Sequence, residues 1–283
     1  MIKKHLIIGS NSFLGHSLSK KLRAQGDTVL GVYHHNTDNL FKAINHIAIS
    51  QLKTIEDDFD AVYLISAFVT NTKSINVDVQ LQAVNVDLVK AICKQFKNAK
   101  IVYCSTISVY KYSIAAITEE STIEPINPYG ASKLLGENCV NQHSKYAIVR
   151  IASMYGVNMK ANTFLPLVVK SAIEKNEIIL FGDGSRLQNY IHIDDVADYL
   201  IAAANYKEND TFLATAEKSI SNKQLAEHIK SILPKTKIAF NGSDNSKSYL
   251  YKNSKTNTKL GQEAKKEIQE GLNEIITWMK KEF

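Results

Sequence analysis

The chain has 283 residues, of which 45% are hydrophobic and 22% are charged, and this balance indicates a globular protein with an ample core. It contains no apolar run of about eighteen residues, which argues against a membrane-spanning helix and a membrane partner. Its three cysteines lack Cys-x-x-Cys spacing, so we expect no disulfide framework, no zinc or other metal site, and a reducing cytoplasmic location.

The net charge is +6, but the lysines are dispersed without a basic run of five. This distribution argues against nucleic-acid binding and is compatible with a small substrate that carries phosphate. The N-terminal apolar stretch is short and leads directly into a glycine turn. It therefore indicates a first strand rather than a signal peptide.

Short β-branched segments alternate with amphipathic ones over the first 155 residues. Buried strands are predicted at 5–9, 28–33, 46–50, 61–66, 100–106 and 146–153, and helices at 13–25 and 79–96. This alternation predicts an α/β fold with a parallel sheet that is covered by helices on both faces. After about residue 155 the alternation loosens, which predicts a smaller, mostly helical C-terminal region.

The segment LIIGSNSFLGHSLSKKL places one glycine after the first strand and another at the start of the first helix. Such a turn exposes backbone N–H groups and a helix N-terminus to a pyrophosphate, although an ordinary tight turn is the alternative. The predicted dinucleotide-binding residues of this loop are Gly9, Asn11, Ser12, Phe13, Leu14 and Gly15.

The second predicted strand ends in the sequence YHHN, with no carboxylate before Asp38. An acidic residue at this point would accept hydrogen bonds from the adenosine ribose of NAD. Its absence, together with the imidazole of His34, leaves room for a 2′-phosphate. We therefore expect NADP(H) to be favoured, with NAD(H) as the alternative, unless the histidines simply lie in an exposed loop.

The segment NPYGASKLLGE contains Tyr129 and Lys133, four residues apart at a predicted helix start. A phenol near an ammonium on one helix face is the arrangement of a proton-transfer pair. The same spacing recurs at Tyr251 and Lys255, but that segment is polar and aperiodic, so we interpret it as coincidence. Asn127 is expected to cap the helix.

These motifs, in this order, resemble the extended short-chain dehydrogenases/reductases of the NAD-dependent epimerase/dehydratase family, which act on nucleotide sugars. The resemblance covers essentially the whole chain and implies a Rossmann-type α/β fold with a doubly wound parallel sheet. The family fingerprint Gly-x-x-Gly-x-x-Gly reads Gly9, Ser12 and Gly15 here, and since serine is small we expect dinucleotide binding to survive. The resemblance further implies that Ala67 and Asn85 lie at the cofactor.

The resemblance also assigns the catalytic roles. Tyr129 would act as general acid/base, while Lys133 would lower the pKa of that phenol and bind the nicotinamide ribose. YCSTISVY supplies Thr106 to hold the substrate oxygen, with Ser105 as the fallback. VRIASMYG leads into the substrate region and adds Ser153 to the predicted substrate-binding residues.

The segment FGDGSRLQNYIHIDDVADYL resembles the part of the family that holds the nucleotide diphosphate. The usual arginine and aspartate are replaced by Gln188 and Asn189, so we expect Arg186, with Gln188, to bind substrate there, unless Arg186 is simply a loop residue in solvent. Asp194 or Asp195 is expected to cap the following helix.

Three functional interpretations stay open. Ile107 and Ser108 stand where 4,6-dehydratases carry an acidic pair, which leaves reduction (or oxidation) of a nucleotide-linked sugar, or C4 epimerisation with tightly held NAD. A non-catalytic dinucleotide sensor or assembly factor is the third. The resemblance assigns 1–155 with about 186–204 to the dinucleotide-binding domain and about 156–185 with 205–283 to the substrate-binding region, and it suggests a homodimer.

Overall fold

The protein is described by a computed structural model, which covers residues 2–37, 39–70 and 74–282. Its strands in chain order are β1 (Lys4–Ile8), β2 (Thr28–Tyr33), β3 (Asn45–Ala48), β4 (Ala61–Leu64), β5 (Lys100–Thr106), β6 (Tyr146–Ile151), β7 (Ser153–Tyr155), β8 (Glu177–Phe181), β9 (Leu187–Gln188), β10 (Tyr190–His192), β11 (Asp210–Ala214), β12 (Ile220–Ser221) and β13 (Lys237–Asn241).

The helices are α1 (Phe13–Ala24), α2 (Ile75–Gln82), α3 (Leu88–Gln95), α4 (Pro128–Val140), α5 (Phe164–Lys175), α6 (Ile193–Asn205), α7 (Asn222–Ile232), α8 (Ser254–Leu260) and α9 (Ile268–Glu282). A π-helical segment, Ala83–Asp87, joins α2 to α3. Short 3₁₀ turns follow β3 and β5, at Ile49–Thr54 and Ile107–Val109. None of the helices in the described ranges is long and apolar enough to cross a membrane.

Within the described residues, seven parallel strands form the central sheet in the order β11-β6-β5-β4-β1-β2-β3. The predicted doubly wound parallel sheet is confirmed. The chain order reverses between β1 and β4, and a crevice for ligands opens beyond the carboxyl ends of the strands at such a switch point. The sheet topology thus indicates where a dinucleotide would bind.

Helices cover both faces of the sheet, as alternate residues of β1 illustrate. Ile7 packs in one core with Leu14 of α1, whereas Leu6 and Ile8 pack in a second core with Val89 of α3. A strand buried on both faces needs apolar residues at consecutive positions, which is why these segments have no polar alternation.

The C-terminal part builds a separate core from α5, α7 and α9, against which the parallel pair β8 and β13 packs. The segment 205–283, which the sequence assigned to the substrate-binding region, also contributes β11 to the edge of the main sheet, where it pairs with β6. The strand is only five residues long and begins with the polar residues Asp210 and Thr211, so its place beside β6 depends on the tertiary fold.

Candidate active site

The chain turns sharply where β1 ends at the switch point. Gly9 has φ +97, and a Cβ there would lie 2.8 Å from the backbone nitrogen of Ser66, just beyond β4. A Cβ on Gly15 would lie 2.4 Å from the carbonyl oxygen of Gly9. Glycine at both positions therefore lets the first turn of α1 lie directly on the loop that leaves β1.

Ser12, at the middle position of the glycine loop, is the N-cap of α1. Its Oγ donates to the Gly9 carbonyl oxygen at 2.8 Å and accepts from the Gly15 amide at 3.0 Å. The side chain of Leu14 is buried in the core and that of Phe13 packs against it, so these residues offer a ligand their backbone amides. First-turn amides lack intrahelical acceptors, and this loop therefore fits a dinucleotide pyrophosphate.

Substituting Gly15→Ala is expected to weaken dinucleotide binding by at least about tenfold and to destabilise the fold by roughly 1–3 kcal/mol, because the added methyl meets backbone atoms. Ser12→Gly is the matched control, since exchanging an N-cap serine for glycine costs only a few tenths of a kcal/mol. Titration calorimetry with NADH and NADPH, together with thermal unfolding, measures both effects. Wild-type affinity in the Gly15→Ala variant would contradict the assignment of the loop.

The end of β2 borders the glycine loop, because the Asn11 side-chain amide donates to the Asn36 carbonyl oxygen at 2.9 Å. His34 and His35 are exposed between them, with ring centroids 3.8 Å apart. Although His34 is exposed, partial desolvation of its ring lowers the pKa of His34, and His35 lowers it further. Asp38, the first carboxylate after this strand, lies outside the described residues.

The N-terminal half of α4 carries Tyr129 and Lys133. Asn127 caps this helix as predicted, accepting from the Gly130 amide at 2.7 Å. Tyr129 is half-buried, whereas Lys133 is only 1% exposed, and its Nζ lies 4.1 Å from the centre of the Tyr103 ring on β5. The spacing of four residues places both side chains on one helix face.

Burial shifts the pKa values of the two groups in opposite directions. It raises the pKa of the Tyr129 phenol, and the nearby Cys104 thiol adds to this increase. It lowers the pKa of Lys133 to about 8, although Cys104 and the Glu137 carboxylate oppose that change. In the protein without a bound dinucleotide, the pKa of Tyr129 therefore lies above its ordinary value, in contrast to the expected decrease beside Lys133, because burial disfavours the phenolate.

Thr106, at the carboxyl end of β5, lies beside the start of α4. Its Oγ1 accepts from the Ser108 amide at 3.2 Å, which caps the 3₁₀ turn. A Cβ on Gly130 would lie 2.3 Å from the Ser108 carbonyl oxygen, so this glycine lets α4 rest on the turn. Ser105 is directed elsewhere and donates to the buried Glu137 carboxylate at 2.5 Å. The fold thus brings Thr106, not Ser105, beside the start of the helix that bears Tyr129.

Asn85, predicted to lie at the cofactor, uses its side chain to connect the segment after β4 to α4. Its Oδ1 accepts from the Phe68 amide, and its Nδ2 donates to the Phe68 carbonyl and to Ser132 Oγ, each at 2.9 Å. Ser132 in turn donates to the Tyr129 carbonyl at 2.8 Å. These bonds link the backbone next to half-buried Ala67, at the carboxyl side of β4, to α4. Ser132, which completes the link, was not predicted from the sequence.

On the side of the C-terminal region, Arg186 is half-buried and its Nε donates to the Lys247 carbonyl oxygen at 3.4 Å. The Lys247 ammonium lies 4.3 Å from the centre of the Tyr112 ring. Gln188 donates to Asn222 Oδ1 at 2.7 Å. Two cations and an aromatic ring therefore lie together in this part of the protein.

Ser153 and Asn189 were also named in the sequence analysis. Ser153 is exposed on β7, opposite Tyr190 of β10. Asn189 is buried, and its amide exchanges two hydrogen bonds with the backbone of Ala216, at 2.9 and 3.0 Å. Asn189 therefore holds backbone where the family would carry a charged residue.

The cap of α6 differs from the prediction. His192 caps the helix, its Nδ1 accepting from the Asp194 amide at 3.2 Å. Asp195 is buried and accepts from the Lys265 and Lys266 amides, each at 3.0 Å. The prediction of an aspartate cap was wrong because both aspartates follow the cap, inside the first helical turn.

Sequence reasoning also missed a buried ion pair between Glu137 of α4 and Arg150 of β6. Helical spacing was the available signal, since Glu137 lies four residues beyond Lys133 and eight beyond Tyr129.

In the described ranges, no group of three or more His, Cys, Asp or Glu side chains is arranged to hold a metal ion.

Two proteins with similar sequences are named as 4-epimerases of UDP-sugars. The putative UDP-glucose 4-epimerase of Methanocaldococcus jannaschii is 25% identical over 179 residues, which are 58% of this chain and 57% of that protein, so the match spans little more than half of that relative. The UDP-glucuronate 4-epimerase of Thermodesulfobacterium geofontis is 25% identical over an alignment of 311 positions, covering 98% of this chain and 96% of that protein.

The structure of MoeE5 in complex with UDP-glucose and NAD superposes with a TM-score of 0.87 at 18% identity, covering 99% of both chains, which shows a common fold. The family model described as "NAD dependent epimerase/dehydratase family" matches residues 5–213. The match covers well over half of the chain, and the protein therefore belongs to the NAD-dependent epimerase/dehydratase family.

Proposed function

We propose that this protein is an NAD(P)-dependent oxidoreductase that reduces a keto group of a nucleotide-linked sugar, or oxidises the corresponding alcohol, with Tyr129 as general acid/base. The observation that supports this proposal most directly is the position of the start of α4 against the turn that follows β5. Gly130 lets the helix start rest on the turn after Thr106, at the carboxyl end of β5, and β5 lies next to β4, which borders the switch point; this supports a site formed by Thr106, Tyr129 and Lys133 there.

Each residue of the proposed site would have a separate role. The amides of the Gly9–Gly15 loop would hold the pyrophosphate, and Lys133 would bind the nicotinamide ribose. A bound nicotinamide dinucleotide supplies the redox partner of the sugar carbon. Thr106 would orient the substrate oxygen, and Tyr129 would pass a proton to or from it, a step that typically contributes about 10²–10⁴-fold to the rate.

A nucleotide sugar is proposed as substrate because two cations lie at the C-terminal region. Arg186 and Lys247, joined through the Lys247 carbonyl, offer a guanidinium and an ammonium to a diphosphate. The relatives are described as 4-epimerases of UDP-sugars, and MoeE5 is seen with UDP-glucose and NAD, which supports the same substrate class here.

C4 epimerisation is the second candidate, favoured by the names of the two relatives and by the NAD in MoeE5. It uses the same Tyr129, which would remove the C4 hydroxyl proton and later return it. Dehydration is set aside, because Ile107 and Ser108 provide neither an acid nor a base next to Thr106.

The proposed preference for NADP(H) depends on His34. Because partial desolvation and His35 lower its pKa, His34 is neutral at pH 8 and gains its charge only below its ordinary value of about 6.5. We expect the preference for NADPH over NADH to grow by about tenfold between pH 8 and pH 5.5. Isothermal titrations with both dinucleotides measure this ratio at each pH.

Two variants test the role of His34. His34→Asp is expected to reverse the preference towards NADH, because a carboxylate repels a 2′-phosphate and accepts from a free ribose. His34→Asn removes the imidazole without adding charge and should abolish only the pH dependence. A wild-type ratio in both variants at both pH values would refute the NADP(H) preference.

The first test of the function is to denature the purified protein and identify any dinucleotide released. Stoichiometric NAD would support the epimerase, whereas an empty protein that binds NADPH more tightly than NADH would support the reductase. Incubation with a panel of UDP-, dTDP- and GDP-sugars and their 4-keto forms, followed by mass spectrometry, then identifies the reaction. Dinucleotide binding without turnover of any panel member would favour the non-catalytic sensor.

A further inference from the structure

A buried ion pair joins β6 to α4, the helix that bears Tyr129 and Lys133. The side chains of Glu137 and Arg150 are 2% and 9% exposed. Arg150 donates from Nε to Glu137 Oε1 at 3.0 Å and from Nη2 to Oε2 at 2.7 Å, so the pair is bidentate. Ser105 donates a third hydrogen bond to Oε1 at 2.5 Å. Both carboxylate oxygens of Glu137 thus have strong donors.

This network connects the elements that carry the catalytic groups. Glu137 lies on the same face of α4 as Lys133, and Ser105 directly precedes Thr106 on β5. Arg150 comes from β6, and its guanidinium lies 4.8 Å from the centre of the Tyr110 ring, which follows the turn after Thr106. One carboxylate therefore links the helix of the proton-transfer pair to the strand end that orients substrate.

Stability alone gives little reason to bury these charges. Replacing a buried ion pair by apolar side chains of similar size is often neutral or stabilising, because desolvation offsets the attraction. The close contacts of α4 already set its distance from the sheet, since a Cβ on Gly136 would lie 2.2 Å from Tyr103 Oη and 2.6 Å from the Asn85 carbonyl. The close glycine contacts do not determine the position of α4 along its own axis. The bidentate pair of Glu137 and Arg150 does determine that position.

The Lys133 ammonium is also affected by this network. In the described part of the chain, the groups that face it are the Cys104 thiol and the Tyr103 ring on β5 and the Glu137 carboxylate on its own helix. Of these, the Glu137 carboxylate is the group that is paired with Arg150. It opposes the effect of burial, which lowers the pKa of Lys133 to about 8.

We propose that the Glu137–Arg150 pair, held by Ser105, is a positioning device: it keeps Tyr129 and Lys133 aligned with Thr106 and supports the positive charge of Lys133. The proposal rests on the oxidoreductase function above. Arg150 and Glu137 touch no reacting atom and act through α4 and β5.

Glu137→Gln tests the device by removing the carboxylate at constant shape. We expect kcat to fall by about 100-fold with little change in KM, because the proton-transfer pair is displaced while the substrate contacts remain. Loss of the carboxylate also leaves Arg150 without a counter-charge, and both changes disfavour the ammonium. The alkaline limb of kcat should therefore move to lower pH by about one unit.

A second measurement needs no turnover. In protein labelled with [ε-¹³C]lysine, the Lys133 resonance should titrate near pH 8 in the wild type and about one unit lower in Glu137→Gln. Lys133→Met assigns the resonance. Because this titration is independent of substrate, it tests the device even if the wild type turns over no nucleotide sugar, and the two failures are distinguishable.

Two further variants complete the test. Glu119→Gln is the matched control, since Glu119 is also buried but accepts from the Thr256 amide at 2.8 Å; it should lower the melting temperature and leave the lysine titration and kcat unchanged. Glu137→Met with Arg150→Met leaves no unpaired buried charge, so it should fold and still show lowered kcat. Wild-type kcat and wild-type Lys133 titration in this folded double variant would overturn the proposal.

Discussion

Tyr129→Phe is expected to lower turnover of the nucleotide-sugar substrate by about 10³-fold while dinucleotide affinity and melting temperature stay close to wild type. The change deletes one hydroxyl from a half-buried ring, so packing is preserved. Burial raises the pKa of this phenol, so in the reducing direction the group enters the reaction protonated and donates to the substrate oxygen. The other two proposed catalytic groups have separate roles, since Thr106 would orient the substrate oxygen and Lys133 would bind the nicotinamide ribose.

The control for this experiment is Tyr251→Phe. Tyr251 stands four residues before Lys255 with the same spacing, but it lies in an isolated bridge with Ile117, and Lys255 pairs with Glu120 at 2.8 Å. Turnover by this variant should equal that of the wild type. If Tyr129→Phe retained more than a tenth of the wild-type rate in a discontinuous product assay, the role of Tyr129 as general acid/base would be wrong.

Lys133→Met is expected to abolish turnover to a similar extent and, at the same time, to stabilise the protein at neutral pH. The pKa of Lys133 falls from 10.5 to about 8 on folding, so the unfolded chain binds more protons between these values. Below pH 8 the folded state therefore bears the full cost of the buried ammonium, about 3 kcal/mol at roughly 1.4 kcal/mol per pKa unit. That cost is relieved as the pH rises from 8 to 10.5.

Removing the ammonium also removes its contact with the Tyr103 ring, worth about 1 kcal/mol, which leaves a net gain near 2 kcal/mol at pH 7. Urea unfolding at pH 7 and pH 10 measures the gain, which should shrink at the higher pH. Lys100→Met is the matched control: this second buried lysine bonds the Tyr206 and Glu208 carbonyls, and its loss should leave turnover unchanged. A destabilised Lys133→Met variant with wild-type turnover would contradict both expectations.

Features that depend on a few consecutive residues were predicted well from the sequence. The strands predicted at 28–33 and 100–106 have the bounds of β2 and β5, and the first helix, predicted over 13–25, spans Phe13–Ala24. The Asn127 cap was also predicted. Backbone hydrogen bonding and hydrophobic periodicity set such features locally, so they are visible in short segments.

The predictions that needed correction concern groups whose surroundings come from distant segments. An aspartate was expected to cap α6, but the His192 ring does so, while Asp195 instead binds backbone seventy residues away, at Lys265. The pKa of Tyr129 was expected to fall beside Lys133, but it rises because the fold buries the phenol. Neither the neighbour nor the degree of burial can be deduced from spacing along one element.

The sequence by itself determined the alternation of strands and helices, the glycine turn after β1 and the placement of Tyr129 and Lys133 on one helix face, because backbone geometry makes each of these a local property. The tertiary structure alone decided that Ser105 reaches Glu137, 32 residues away, leaving Thr106 beside the start of α4. The partner of a buried polar group depends on which strands become neighbours in the sheet, and that choice is made by the packing of the whole chain.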